Sequence, residues 1–175
     1  MFTAPRKTQD GRYYVKPNDL IIIQLNGVKL FSKYPDSPTL TIEVGDCAKI
    51  NEIDAQVLEQ AKLNSEAWFQ RVVAEKTLEA AYTKSTTDGV LNVSKVKQAR
   101  VFRDKEETDG SELVEGTVCD VMLEFSGVSF TKTKFSPVWK LVQVRTKSPP
   151  KKKYADYLFA DTDPEPEPEL SDDDI

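Results

Sequence analysis

The spacing of the hydrophobic residues changes twice along the chain, and this change limits the fold more than any other feature. Before residue 51 and after residue 84, apolar and polar residues alternate, as in "TLTIEVG", where Leu40, Ile42 and Val44 share one face. Alternation is typical of β-strands that are buried on one side. Residues 51–84 instead carry apolar residues three and four positions apart, which is typical of helices. The pattern therefore predicts a mainly β chain with a helical insert, of the α+β class.

Five segments carry the strand pattern, and a strand is predicted for each. They are "DLIIIQLNGVKLF", "TLTIEVG", "VLNVSKVKQARVFRD", "GTVCDVMLEFSGVSFT" and "SPVWKLVQVRTK". Gly27, Gly45 and Gly127 mark bends or strand ends, and "KEETDGSE" is interpreted as an acidic surface turn. Five or six strands with glycine bends and a helical insert favour a small Greek-key barrel of the OB type. A β-sandwich with a peripheral helix is the alternative.

The helical insert contains two stretches that meet near Asn64. Asn51 is suited to be the N-cap of the first stretch, and Ser65 to be the N-cap of the second. The second stretch places four large side chains on one stripe: Trp68, Phe69, Val72 and Val73. Aromatic residues on an apolar helix stripe usually pack in a core. Core packing is therefore predicted for this stripe.

The net charge of −5 is unevenly distributed along the chain. Nine of the 29 acidic residues lie in residues 156–175, where there is no basic residue, so residues 1–155 hold 20 acidic against 24 basic residues. A basic body with an acidic end is typical of chains with an interaction tail. We predict a basic N-terminal arm (residues 1–18), an OB-like nucleic-acid-binding domain (19–153) and a disordered acidic tail (154–175).

Several classes of function are disfavoured by what the sequence lacks. There is no histidine, the commonest general base and metal ligand, and no GxxxxGK[ST] loop or GxGxxG turn. We therefore predict no enzymatic activity, no cofactor and no metal. Cys47 and Cys119 have no motif spacing and are expected to be buried free thiols. The apolar run at residues 20–23 is too short to span a bilayer, and no signal-peptide stretch begins the chain, so an intracellular location is expected.

Basic and aromatic residues are interleaved in four segments: "RYYVK", "VKLFSKY", "ARVFR" and "SFTKTKFSPVWK". Proteins that bind single strands need this mixture, because cations follow the phosphates while exposed rings stack on bases of any identity. The alternative is that the rings belong to the core and the charges to ordinary solvated faces. The candidate phosphate contacts are Lys97, Arg100, Arg103, Lys132, Lys134, Lys140 and Arg145. The candidate stacking residues are Tyr14, Phe102, Phe135 and Trp139, of which Trp139 is the best suited to the core.

The end of the chain, "LFADTDPEPEPELSDDDI", combines acidic residues with prolines. Such a segment buries too little apolar surface to fold and stays extended. Its negative charges can lie on the cations of the body and compete there with nucleic acid, which would free the tail for partner proteins when a strand binds. The residues predicted to bind partners are Asp163, Glu165, Glu167, Glu169, Asp172, Asp173, Asp174 and Ile175.

Two longer stretches carry a resemblance to known proteins. They are "IDAQVLEQAKLNSEAWF" and "VMLEFSGVSFTKTKFSPVWKLVQVRTKSPPKKK", and the pattern covers roughly residues 50–153. The chain here resembles small proteins of large eukaryotic DNA viruses that are taken to be single-stranded DNA-binding proteins. Those proteins are similar in plan to phage single-stranded DNA-binding proteins with an OB barrel and an acidic tail. The end "DDDI" also resembles the acidic tip of bacterial single-stranded DNA-binding proteins, although the final Pro-Phe of that tip is missing.

The sequence and the resemblance favour a non-enzymatic, viral protein that binds single-stranded DNA without sequence preference in replication or recombination. Its tail is expected to recruit replication proteins, and its expected location is the host nucleus or a cytoplasmic viral factory. Binding of RNA and formation of a homodimer stay open, and no membrane partner is expected. Two other classes also stay open: a structural virion or scaffold protein, and an acidic-tail chaperone of basic proteins.

Overall fold

The computed structural model describes residues 2–35 and 37–147, and its elements follow the order that the spacing predicts. The strands in these residues are β1 (Arg6–Lys7), β2 (Tyr13–Val15), β3 (Ile21–Leu30), β4 (Thr39–Glu43), β5 (Thr86–Thr87), β6 (Val90–Arg103), β7 (Glu106–Thr108), β8 (Val118–Phe130) and β9 (Phe135–Thr146). The helices are α1 (Ala48–Leu63), α2 (Ser65–Phe69) and α3 (Glu75–Ala81). The protein is therefore mainly β, with its helices between β4 and β5. The predicted acidic tail and the boundary at residue 153 lie outside the described residues.

The five longest strands pair in an order that returns to its first member. β3 pairs antiparallel with β4, and β4 pairs antiparallel with β6. β6 then pairs with β9 in the parallel direction, β9 pairs antiparallel with β8, and β8 pairs antiparallel with β3. Each of these five strands therefore has a neighbouring strand on both of its sides.

The core lies between the inner face of this sheet and the helices. Every second residue of β8 from Cys119 to Phe125 is buried, because successive side chains of a strand point to opposite faces. α1 adds a stripe of buried residues at helical spacing: Ile50, Ile53, Val57 and Ala61. Burial raises the pKa of the Cys119 thiol to about 12, so this cysteine is protonated and unreactive at neutral pH. Cys47, in contrast to the expectation, is only half-buried.

The helical insert differs from the predicted one at its ends. α1 begins at Ala48 with Cys47 as its N-cap, and Asn51 lies within it, with its side-chain amide donating to Asp46 Oδ1 at 2.6 Å. The break at Asn64 is where the sequence predicts it. α2 ends after five residues because Gln70 takes a left-handed conformation (φ +60°), and the predicted stripe therefore ends early. None of the described helices is long and apolar enough to cross a membrane.

The N-terminal residues pack on the domain. β1 and β2 form a hairpin whose second strand pairs with residues 128–130 of β8. Val15 is fully buried, and the ring of Phe2 makes edge-to-face contacts with Trp68 and Phe125. At Gly127 (φ +142°) an added Cβ would lie 2.2 Å from the carbonyl oxygen of Val15. The close approach of β2 to β8 therefore requires glycine at this position.

A buried polar network connects the helices to β9. The carboxylate of Asp54 in α1 accepts hydrogen bonds from the Tyr82 hydroxyl, from the backbone N–H of Ser85 and from the Ser85 hydroxyl (2.8 Å). The Ser85 oxygen in turn accepts from Trp139 Nε1 at 2.8 Å. Burial and the hydrogen bond to Asp54 raise the pKa of Tyr82. The network therefore satisfies a buried carboxylate and holds α1 against the sheet.

Candidate nucleic-acid interface

Three of the predicted phosphate contacts are arginines that already have acidic partners. Arg100 Nη2 lies 2.8 Å from Glu107 Oε2, and Arg145 Nη2 lies 2.7 Å from Asp120 Oδ2. Arg103 Nη1 lies 3.6 Å from a carboxylate oxygen of Glu112. A phosphate would have to compete with these carboxylates, so the three arginines give a weaker attraction for a strand than their number suggests.

The predicted lysines are in different surroundings. Lys97 is exposed in β6, between the two parts of that strand that pair with β9. Lys140 is half-buried and lies opposite Glu124 in the β8–β9 pair. Lys132 and Lys134 are exposed in the turn between β8 and β9, where Thr131 N donates to the Lys134 carbonyl at 2.8 Å. The turn therefore presents two lysines to solvent.

Two of the predicted stacking residues belong to the core. Phe135 is 1% exposed and Trp139 is 2% exposed. The ring of Phe135 packs on Phe69 and Phe130, at centroid distances of 5.3 and 5.9 Å. Trp139 donates a hydrogen bond from Nε1 to the Ser85 hydroxyl. Neither ring has a face for a base to stack on. Contrary to the prediction, Phe135 and Trp139 are therefore core residues, because both side chains point to the inner face of β9.

The other two predicted stacking residues are half-buried. The hydroxyl of Tyr14 is hydrogen-bonded to the Ser126 hydroxyl, and burial raises the pKa of Tyr14. The ring of Phe102 lies under the guanidinium of Arg100, 5.1 Å from its carbon atom to the ring centroid, a cation–π arrangement. Part of the Phe102 ring also lines a cleft of about 330 Å³ on the outside of the sheet. We call it the sheet cleft, and its polar lining includes Gln24, Asp120, Gln143 and Arg145.

A larger cleft of about 800 Å³ lies between the β1–β2 hairpin, the end of α2 and the β8–β9 turn. We call it the arm cleft. Three cations and four aromatic residues are in its lining: Arg12, Arg71, Lys132, Tyr13, Trp68, Phe69 and Phe130. Basic and aromatic residues from three separate segments of the chain therefore meet in the arm cleft.

The cations of the arm cleft are less neutralised than those of the sheet. Arg12 has one acidic partner in the described residues, Asp10, whose Oδ2 lies 3.6 Å from Arg12 Nε. Arg71 and Lys132 are exposed, and no ion pair joins either of them to another residue in ranges 2–35 and 37–147. The cleft therefore has a positive balance of charge, which is what attracts a polyanion.

The rings of the arm cleft include one that is free to stack. Tyr13 is 43% exposed, so a large part of its ring is in contact with solvent. Phe69 is half-buried, with its ring edge-to-face on Phe130 at 5.4 Å. Tyr13 thus offers the aromatic surface that a base needs, and Phe69 lies on the same cleft.

Of these residues only Lys132 was singled out by sequence reasoning. Arg12 and Tyr13 belong to "RYYVK", one of the four interleaved segments, but Tyr14 was chosen in their place. Adjacent residues of a strand point to opposite faces, and the face that stays exposed depends on the packing of β2. Phe69 is predicted to belong to the core. The sequence does not indicate that Arg71 lines a cleft, because its exposure follows from the early end of α2. No group of three or more cysteine or acidic side chains in the described part of the chain is placed to hold a metal.

Comparison with known proteins gives one matching family and several solved structures of low sequence identity. Residues 26–161 match the model of a family described as a family of unknown function (DUF5871). No curated protein matches the chain. The single-stranded DNA-binding protein from bacteriophage Enc34 in complex with ssDNA is 14% identical, with a TM-score of 0.47 over 86% of this chain and 98% of that chain. A C-terminal truncation of the same phage protein is also 14% identical, with a TM-score of 0.47 over 83% of this chain and 94% of that one.

Proposed function

We propose that this chain, which belongs to the family of unknown function DUF5871, binds single-stranded nucleic acid in the arm cleft. The observation that carries the proposal is the meeting of Arg12, Arg71 and Lys132 with the exposed ring of Tyr13 in one cleft. Cations contribute attraction to phosphates, and the ring contributes stacking on a base. A single strand is favoured over a duplex because the bases of a duplex are already stacked on one another.

The proposed architecture is a five-stranded OB-like Greek-key barrel with the helices inserted after its second strand. The cyclic order of pairing, β3–β4–β6–β9–β8–β3, supports it. The parallel pairing of β6 with β9 is part of this support, since it joins strands that are not consecutive. OB folds bind oligonucleotides and oligosaccharides, which agrees with a strand as ligand.

The wider role that we propose is the coating of single-stranded DNA during viral DNA replication or recombination, without enzymatic activity. The acidic tail would compete with DNA for the cations of the body and recruit replication proteins when displaced. The charge distribution supports this, because the nine acidic residues of 156–175 are opposed by an excess of basic residues in 1–155. The expected location is intracellular, in the host nucleus or a viral factory.

The test compares the affinity for single strands and for duplex at about 50 and 200 mM salt. A labelled oligonucleotide of about 30 nucleotides exceeds the roughly 4–16 that one OB fold covers. The single strand is expected to bind more tightly. Replacing Arg12, Arg71 and Lys132 by glutamine should weaken binding and flatten the salt dependence by about 2 in the slope of log K against log salt, at about 0.7 per phosphate contact.

A matched control separates the cleft from net charge alone. Lys29, Lys33 and Lys76 are exposed and do not line the arm cleft, so their replacement by glutamine changes the net charge equally. This control should retain most of the affinity and of the salt slope. Equal binding of duplex and single strand, or an equal loss in the control, would contradict the proposal.

A further inference from the structure

The sheet cleft differs from the arm cleft in its charge. Its lining contains two basic side chains, Lys105 and Arg145, and two acidic ones, Asp104 and Asp120. These charges balance, so a phosphate gains little there. The ligand that such a cleft favours is uncharged, and the polar groups in the lining require it to have hydrogen-bonding groups of its own.

Irregular strand pairing surrounds the sheet cleft. The register of β3 with β8 shifts between Leu25 and Val28, and that of β8 with β9 shifts just after Met122. The pairing of β6 with β9 also shifts, just before Arg100. Bulges turn side chains away from their regular direction and are frequent next to binding sites. Here they surround a cleft to which four strands contribute, on the outer face of β3, β8, β9 and β6.

The arginine in the cleft is held in a fixed orientation. Asp120 Oδ2 accepts hydrogen bonds from Arg145 Nε at 3.0 Å and from Nη2 at 2.7 Å. Asp120 Oδ1 accepts from the backbone N–H of Gly27 at 3.1 Å. Burial raises the pKa of Asp120, but the hydrogen bonds from Arg145 and Gly27 outweigh it and leave the pKa below its usual value. The Asp120 carboxylate therefore stays charged at neutral pH, and its hydrogen bonds hold the Arg145 side chain at the wall of the cleft.

Two carboxamides line the cleft from different strands. Gln24 Nε2 donates to Asn26 Oδ1 at 2.9 Å, which leaves the carbonyl oxygen of Gln24 to accept. Gln143 is exposed, and its side chain has no hydrogen-bond partner in the described ranges. A carboxamide presents a donor and an acceptor side by side, and a nucleobase edge presents the complementary pair. The bidentate match of glutamine is with adenine.

The lining also contains an apolar, planar group. Phe102 lies opposite Arg145 in the parallel β6–β9 pair, and its half-buried ring and the side chain of Met122 are both part of the lining. A ring that is fixed on one side by the Arg100 guanidinium gives a flat ligand a defined surface to pack on. The cleft thus combines a ring, a fixed cation and two amides in a volume of about 330 Å³.

We propose that the sheet cleft binds one nucleobase, with Phe102 packing on the base and Gln143 pairing with its edge, and that it prefers adenine. The base is either part of a strand or a free nucleoside, since both have the same edge and the same ring. For a base within a strand, the proposal rests on the proposed function. For a free nucleoside it stands alone.

The first experiment uses uncharged nucleosides, so that phosphate attraction plays no part. NMR signals of the Gln24 and Gln143 side-chain amides in the full chain are followed during titration with deoxyadenosine, deoxycytidine or thymidine at millimolar concentration. Deoxyadenosine is expected to shift them saturably and with the highest affinity. Gln143→Leu should lower the affinity for deoxyadenosine at least about fivefold, whereas Gln98→Leu, at an exposed position outside the cleft, should leave it unchanged.

The second experiment uses strands. The full chain should prefer oligo-dA to oligo-dT, and Gln143→Leu should remove that preference without changing the salt slope. Absence of a saturable shift with every nucleoside, or a preference that survives Gln143→Leu, would overturn the inference. If nucleosides bind but strands do not, the nucleobase site stands and the strand-binding function fails.

Discussion

Two neighbouring tyrosines of β2 differ in what they contact, although nothing in their local sequence separates them. Tyr13 is largely exposed on the arm cleft, while Tyr14 is half-buried with its hydroxyl on Ser126. The rings of Phe135 and Trp139 in β9 give a second example: the sequence predicts that they stack on bases, and the structure buries both. Whether a ring stacks on a base or fills the core is decided by residues that are distant in sequence, such as Phe69 and Phe130 around Phe135.

At the residue scale we predict opposite effects for two ring deletions. Tyr13→Ala should weaken single-strand binding by ~1–3 kcal/mol, the contribution of one stacked base, and change the free energy of unfolding by no more than ~0.5 kcal/mol. Phe135→Ala should lower the free energy of unfolding by ~3–5 kcal/mol, because it leaves a cavity in the core. Urea unfolding and oligonucleotide titration of both variants measure the two quantities. A stable Phe135→Ala protein with impaired binding would contradict this assignment.

The contacts of individual residues are also what the sequence predicts least well. Cations and aromatic rings meet in the arm cleft, and of the predicted residues Lys132 is among them. The partners were not accessible from the sequence. "KEETDGSE" was interpreted as a turn, but its residues 106–108 form β7, which pairs with β6 and brings Glu107 to the guanidinium of Arg100. Local charge patterns do not show which acid a cation will pair with across strands.

At the scale of elements the sequence was a better guide. The five predicted strands correspond to β3, β4, β6, β8 and β9, because alternation is a local property that each segment carries by itself. The pairing partners are not local. The sequence predicts a basic arm for residues 1–18 and no strands in it, because strands of two and three residues leave no periodicity to detect. The position of the β1–β2 hairpin follows from Gly127, where β2 approaches β8.

Gly127 gives the prediction at this scale. Gly127→Ala would place a Cβ 2.2 Å from the Val15 carbonyl oxygen and 2.9 Å from the Tyr14 ring, so β2 has to move away from β8. We expect a loss of more than ~2 kcal/mol in the free energy of unfolding, together with weaker strand binding, because the hairpin forms a wall of the arm cleft.

Gly116→Ala is the matched control for this substitution. Gly116 also has a positive φ (+91°), but an added Cβ would meet nothing within 4 Å, so only backbone strain of ~1–3 kcal/mol is expected and binding should be unchanged. Urea unfolding, with hydrogen exchange of the Val15 amide, measures the difference. Equal effects of the two substitutions on binding would show that the position of β2 does not matter for the arm cleft.

At the scale of the whole molecule, charge gives the prediction. Removing residues 156–175 changes the net charge from −5 to +4, because nine acidic residues are lost and no basic one. Affinity for single-stranded DNA is expected to rise, most at low salt, since attraction between tail and body is screened over ~10 Å at 0.1 M and ~3 Å at 1 M salt. Titration at several salt concentrations measures the gain.

A second variant separates charge from chain length. With the same nine residues changed to asparagine or glutamine, the tail keeps its length and loses its charge, and affinity should rise as in the truncated chain. A gain in the truncated chain alone would mean that the tail blocks the cleft by its bulk. No gain in either variant would leave the tail without a competing role.

The cyclic pairing of the five long strands also limits how copies of this protein can assemble along a strand of DNA. A second chain can extend a sheet only at an unpaired strand edge, and each of the five strands already has two neighbours. In the described part of the chain, however, β3 pairs with β4 only at Lys29 and Leu30, so residues 21–28 of β3 have no strand partner on that side. The strands of two or three residues, β1, β5 and β7, also have one open edge each. Pairing of strands between neighbouring molecules would therefore have to use such open edges, this part of β3 among them, and contact elsewhere would depend on side chains.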